Sequence, residues 1–197
     1  MKPCEELKQN GFAVVKNVIS SELAYFLTHM LCRRSELPEN KPFDEQVEGT
    51  LTVVSRTMEF DTLLEKLWAD MEVYAGEPLL PTYSYSRLYT NGNFMKPHID
   101  KPTCEVSITI QLGRSHEYSY PIFMRDVETC LNVGDGVVYY GHQIPHRRDV
   151  CLGPEGYYSG QVFLHYVRKN GEFAHLAGDP KCRKNVPVFT KNRHFMF

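Results

Sequence analysis

Nowhere in its 197 residues does the chain carry an apolar run approaching the roughly 18 residues a membrane-spanning helix needs. Its first residues, Met1-Lys2-Pro3-Cys4-Glu5-Glu6, lack the apolar stretch of a secretory signal. Cysteines stand alone at positions 4, 32, 104, 130, 151 and 182, and none forms a CxxC pair. That excludes a zinc ribbon and a dithiol redox motif. An excess of charge of one sign is also missing: 22 Lys and Arg face 24 Asp and Glu, a formal charge of −2. The chain therefore has no bulk attraction to nucleic acid or to acidic membranes, and neither is expected as a partner. There is no internal repeat and no low-complexity segment. These absences lead to the expectation of a cytoplasmic protein with reduced thiols.

What is present suits a folded domain. Hydrophobic residues make up 42% and charged residues 23% of the chain, enough apolar material for one core. A single domain over residues 1–197 is expected: helical support over 1–80, a β core over 82–167 and a C-terminal extension over 168–197.

Gly11 to Ile19 reads as a first strand, β-branched and bounded by Asn10-Gly11. Ser20 suits an N-cap, and Leu23, Phe26, Leu27, Met30 and Leu31 repeat at helical spacing. Residues 35–50 are polar with Pro38, Pro42 and Gly49, and read as a loop over the site. A second helix is expected with Asp61 as its cap and Phe60, Leu63, Leu64, Leu67, Trp68 and Met71 as its apolar stripe, ended by Gly76 and Pro78. Trp68 reads as a core anchor.

Beyond Pro81 the period changes to two. Cys104 to Gly113 alternates strictly, with Val106, Ile108, Ile110 and Leu112 on one face and Ser107, Thr109 and Gln111 on the other. Further strands are expected at 82–90, 120–126, 137–140 and 156–167. Helices first and about six strands afterwards predict an α+β fold, with helices packed on one face of a mainly antiparallel sandwich or barrel. The basic tail from Lys181 is poorly patterned and reads as a clasp, a partner arm or a frayed end.

The chemistry concentrates in Pro97-His98-Ile99-Asp100. On an extended strand, positions i and i+2 point to one face, so His98 and Asp100 converge there. Pro97 favours the extended entry. An imidazole and a carboxylate on one face are two ligands of the two-histidine, one-carboxylate iron triad, which leaves three metal positions open. A zinc hydrolase more typically uses three histidines, or two with a glutamate. His146, preceded by Pro145 at the exit of another strand, is the candidate third ligand, with His142 as its rival. His116, His165, His175 and His194 read as structural or exposed.

On these residues the chain resembles a known family. Tyr89-Thr-Asn-Gly92-Asn-Phe-Met-Lys-Pro97-His98-Ile-Asp100 is similar to the YxxGxxxxPHxD segment of prolyl 4-hydroxylase-like enzymes, which are Fe(II)/2-oxoglutarate-dependent oxygenases. Asn132-Val-Gly134-Asp135-Gly136 and the strand after it resemble the family's turn and strand leading to the distal histidine. The resemblance covers roughly residues 82–167. It implies a double-stranded β-helix, or jelly-roll, core and an iron site of His98, Asp100 and His146. It also implies Fe(II), 2-oxoglutarate and O2 as cofactor and co-substrates. The implied reaction couples decarboxylation of 2-oxoglutarate to hydroxylation of an unactivated C–H bond, in a prolyl residue, an amino acid or a small metabolite.

It further places Tyr89 near the co-substrate and Gln111 near its far end. Gln161 points inward if Val162 and Leu164 pack against the helices. One departure stands out: where the family carries a Lys or Arg after the distal histidine, this chain has Glu155, Gly156, Tyr157 and Tyr158. Arg148 is the first choice to replace that charge, since its planar fork suits a carboxylate; Arg147, Arg114 and Arg87 are alternatives. Two other readings remain open at this point. One is a cupin-like metal enzyme that does not use 2-oxoglutarate. The other is a non-catalytic jelly-roll module that binds peptide or sugar.

Overall fold

The structure is a computed structural model, and it describes residues 1–37, 46–47, 50 and 52–178. The basic tail and most of the 35–50 segment lie outside the described residues.

One helix begins as its sequence dictates. The Ser20 hydroxyl accepts the N–H of Leu23 and starts α2, Ser21–Ser35, which buries Ala24, Leu27, Thr28 and Leu31. A short helix not expected from the sequence, α1 (Pro3–Asn10), precedes it; only its Leu7 is buried. With one buried apolar residue in eight, it has no periodic stripe to read. Gly11 ends it in the left-handed conformation at φ 81°.

The expected single helix over Phe60–Ala75 is instead two, α3 (Met58–Lys66) and α4 (Trp68–Ala75), broken at Leu67, where ψ is 0°. The break turns Trp68 so that its indole N–H donates to the Leu79 carbonyl at 2.7 Å. Asp61 is not the cap. Thr57 holds that position, and Asp61 accepts a hydrogen bond from Ser84 Oγ at 2.7 Å.

Among the described residues there are ten strands, where about six were expected. The large sheet has the order β1 (Phe12–Val15), β8 (Gly136–Tyr139), β5 (Val106–Arg114), β10 (Tyr158–Arg168), β3 (Leu79–Thr90), β2 (Thr52–Ser55). The small sheet has the order β4 (Met95–His98), β9 (His146–Arg148), β6 (Ile122–Met124), β7 (Val127–Thr129). All the pairings are antiparallel. With the helices this makes an α+β double-stranded β-helix. The strands not expected, β2, β4, β7 and β9, are three or four residues long, too short to show a period in sequence.

One face of the large sheet carries Val106, Ile108, Ile110 and Leu112 with Val162, Leu164 and Tyr166. These pack with Leu27, Leu31, Phe60, Leu63 and Leu64 from the helices in one buried core. At ~25 cal/mol per Å² of apolar surface, this helix-to-sheet contact is the main cohesive force of the fold. The opposite face looks into the barrel. Because side chains alternate, β10 sends Gln161, Phe163 and His165 inward, opposite Arg87, Tyr85 and Tyr83 of β3. Among the described residues no helix is long and apolar enough to cross a membrane.

Candidate metal centre

β4 ends at His98 and β9 begins at His146, and the two residues are direct partners in the ladder. Their rings lie 4.3 Å apart. Asp100 follows β4 by two residues and turns its Oδ1 to 3.6 Å from the Nε2 of each histidine. The tautomers follow from the backbone. His98 Nδ1 lies 2.9 Å from the carbonyl of Lys96, and His146 Nδ1 lies 3.0 Å from the carbonyl of Ile144. A carbonyl only accepts, so each Nδ1 carries a proton; in the neutral ring Nε2 then keeps the lone pair a metal would take, and in protonated His98 Nε2 carries the proton that faces Asp100. Two imidazole nitrogens and one carboxylate oxygen thus converge as a three-donor set.

The carboxylate is held from behind. The Asp100 N–H donates to the Gly141 carbonyl at 2.8 Å, and Tyr139 Oη donates to Asp100 Oδ2 at 3.4 Å. Burial and the Asp100 charge push the Tyr139 hydroxyl well above the ordinary tyrosine range, so it stays a neutral donor. Burial opposes the Asp100 charge, but hydrogen bonding to His98 and the imidazoles outweigh it and hold the carboxyl below its usual range. At His146 burial wins, and the imidazole is pushed below its ordinary value. At His98 burial also opposes protonation, but bonds to Asp100 and the Lys96 carbonyl outweigh it and raise the value.

The triad opens onto a cavity of about 570 Å³. Arg87 stands on its wall, with Tyr85 and Phe163 under the guanidinium face, 4.9 and 5.6 Å away. Arg87 donates to Tyr89 Oη at 3.4 Å and to Gln46 Oε1 at 2.5 Å. Gln46 is a described residue of the 35–50 segment, and it lines this cavity. Farther along, the wall is Tyr83 of β3, His165 of β10 and Cys104, at the end of the 3-10 turn Pro102–Cys104.

The other residues singled out in the sequence fall in different places. His142 lies away from the donor set, with its ring against Phe173 at 5.4 Å. Gln111 and Gln161 satisfy each other. Gln161 Nε2 donates to Gln111 Oε1, Gln111 Nε2 donates to the Gly113 carbonyl, and Gln161 Oε1 accepts from Thr109. Neither lines the cavity. Tyr89 is fully buried next to Arg87. Arg148 points inward with His146, as i and i+2 on one strand must, but it is 2% exposed and is not on the cavity wall. It donates to the Tyr120 carbonyl at 2.6 Å and packs its guanidinium 5.0 Å from the rings of Tyr89 and Tyr120. Among the described residues its Nε and Nη2 have no hydrogen-bond partner. Arg147 lies over Phe123 and pairs with Asp149.

The Gly134-Asp135 turn is structural. Asp135 accepts from Asn132 N, Asn17 N and Lys16 Nζ, tying the entry of β8 to the exit of β1. Sequence reasoning passed over Cys104 and His165 as site residues. The alternation of β5 and β10 put His165 and Ser107 on inward faces, but which cavity they share is set by the pairing of distant strands.

No family model matches the chain, and no curated protein matches it. Solved structures do. A prolyl-4-hydroxylase from Pseudomonas putida superposes with a TM-score of 0.64 at 17% identity, covering 85% of this chain and 97% of that one. The nogalamycin-biosynthesis epimerase SnoN, described as non-heme and alpha-ketoglutarate-dependent, gives 0.65 at 16% identity over 84% and 80% of the two chains. HygX from Streptomyces hygroscopicus, solved with nickel and 2-oxoglutarate bound, gives 0.61 at 14% identity over 84% and 86%. At such identities the likeness is one of fold: this chain has the fold of the 2-oxoglutarate- and Fe(II)-dependent oxygenases.

Proposed function

We propose that the protein is an Fe(II)- and 2-oxoglutarate-dependent oxygenase that acts on an unactivated C–H bond of a small molecule or a peptidyl side chain. The observation that carries this reading is the donor set. The Nε2 atoms of His98 and His146 and Asp100 Oδ1 meet on one side of a cavity that also presents a buried guanidinium. The donor chemistry fits ferrous iron, since three facial N,N,O ligands leave positions for a bidentate oxoacid and for dioxygen. His98, Asp100 and His146 would hold the metal, which when bound supplies the oxygen chemistry.

The residues then divide the remaining work. The Lys96 and Ile144 carbonyls fix the two imidazoles, and Gly141 and Tyr139 fix the carboxylate. Arg87 receives the far carboxylate of the oxoacid, because it lines the cavity onto which the triad opens. Its strand lies beside β10, where Arg87 pairs with Gln161, so the charge comes from the neighbouring strand. Arg148 is a second choice, favoured by its unpartnered Nε and Nη2, which form one edge of the guanidinium fork. Tyr85, Phe163 and Tyr139 line the cavity around the reacting centre and keep bulk water from it.

The neighbours include an epimerase as well as hydroxylases, so hydroxylation is the reading taken from the resemblance of the Tyr89–Asp100 segment. The test is to supply Fe(II), 2-oxoglutarate and dioxygen with a panel of amino acids, small metabolites and prolyl peptides. Succinate should form above the level given by Asp100→Ala. Absence of both 2-oxoglutarate binding and succinate would reject the reading in favour of a metal enzyme of another kind or a binding module.

A further inference from the structure

Asp100 belongs to two donor sets. One is the N,N,O triad. The other is Asp100, Cys104 and His165, whose candidate ligand atoms all lie within 4.8 Å of one another. The second set is assembled from two sources. Asp100 leads through the single 3-10 turn Pro102–Cys104, which brings residue 104 back under residue 100. His165 comes from β10, where its inward face is set by the alternation that buries Val162 and Leu164 on the helix side.

The tautomer of His165 follows from a chain of hydrogen bonds. Ser107 Oγ donates to the Cys104 carbonyl at 3.1 Å and lies 2.8 Å from His165 Nδ1. With the hydroxyl's one hydrogen on the carbonyl, which can only accept, Nδ1 is the donor to Oγ. Nε2 is left with a lone pair, on a residue that lines the cavity. This is the same construction that readies His98 and His146, with a hydroxyl in place of a carbonyl. Cys104 is 2% exposed, and Tyr83 Oη lies 3.1 Å from its sulfur. Packing alone does not need an imidazole lone pair, a thiol and a carboxylate gathered at one point.

We propose that Asp100, Cys104 and His165 form a second, thiolate-bearing metal site that takes a borderline-soft divalent ion of the zinc type. Sulfur, imidazole nitrogen and carboxylate oxygen are the donors such an ion prefers, and three protein ligands would leave room for one further donor. Binding breaks the Cys104 S–H bond: the sulfur pair goes to the ion, the proton goes to solvent, and no oxidation state changes. An ion there uses the Asp100 carboxylate that the N,N,O triad also needs.

The site does not depend on the oxygenase reading, and its test is spectroscopic. Metal-free full-length protein, its His98→Ala variant and its Cys104→Ser variant are titrated anaerobically with Co(II). Wild type and His98→Ala should show an intense near-ultraviolet thiolate-to-cobalt band, and Cys104→Ser should lose it. Zn(II) affinity of His98→Ala should fall by roughly tenfold or more when Cys104→Ser is added. His165→Gln provides a second route with the thiol in place, and it should weaken the same band; circular dichroism checks that each variant is folded. No band in wild type, or a band that survives Cys104→Ser, overturns the proposal. Succinate formation by the wild-type protein judges the oxygenase reading separately.

Discussion

The N–H of Asp100 donates to the carbonyl of Gly141 at 2.8 Å, and a Cβ placed on residue 141 would stand 2.7 Å from Asp100 Oδ2 and 2.5 Å from the Cys104 carbonyl. The carboxylate of the proposed metal ligand is therefore seated against bare backbone. Gly141→Ala should push Asp100 off its seat and weaken Fe(II) binding by roughly 10- to 100-fold, the range seen when support of a metal ligand is lost. Anaerobic metal titration checks this, and unchanged affinity would remove Gly141 from the site.

Arg87 and Arg148 flank Tyr89, one through its hydroxyl and one over its ring. Arg87→Ala should raise the 2-oxoglutarate dissociation constant by about 30-fold or more, since truncating one partner of a buried charge pair costs ~2–5 kcal/mol. Arg148→Ala should have a smaller effect on that constant. Direct binding to the metal-loaded protein measures both. The reverse order would return the role to Arg148.

Asp135 is the acidic clamp of the turn into β8. Burial opposes its charge, but bonds from Lys16, Asn17 and Asn132 outweigh burial and hold its carboxyl below the usual range. A folded-state value below the unfolded one gives stability that is fully present above the unfolded value, near 3.9, and is lost as pH falls through the folded value. Asp135→Asn should lower stability at neutral pH and flatten the fall of melting temperature between about pH 5 and 2. A thermal melt series over that range decides it. Parallel curves for the two proteins would show that Asp135 contributes no acid sensitivity.

Trp68 closes the break between α3 and α4 onto the large sheet, through its indole N–H to the Leu79 carbonyl. Trp68→Phe keeps most of the packing but strands that carbonyl. The expected loss is about 1–2 kcal/mol in urea unfolding, with no change in Fe(II) affinity. A change in metal binding with stability intact would contradict an anchoring role.

Much of this protein could be read from short-range patterns. Alternation from Val106 to Leu112 named the face that meets the helices, and i, i+2 geometry placed His98 and Asp100 together. Position Ser20 marked the start of α2. The resemblance of residues 82–167 supplied the jelly-roll core. Each of these depends on neighbours within a few residues, where φ/ψ preferences and side-chain period act directly.

The tertiary structure decided what depends on strands far apart in the chain. It put Arg87 rather than Arg148 on the cavity wall, because β3 and β10 pair across that wall while Arg148 packs behind Tyr89 and Tyr120. It paired Gln111 with Gln161 instead of turning them to the cavity. It also drew Cys104 and His165, sixty-one positions apart by subtraction of their residue numbers, to the same carboxylate as the triad. Sequence determines which face each residue takes on its own strand. Which residues then share a cavity is settled only when the packed helices close the sheets and fix the register between them.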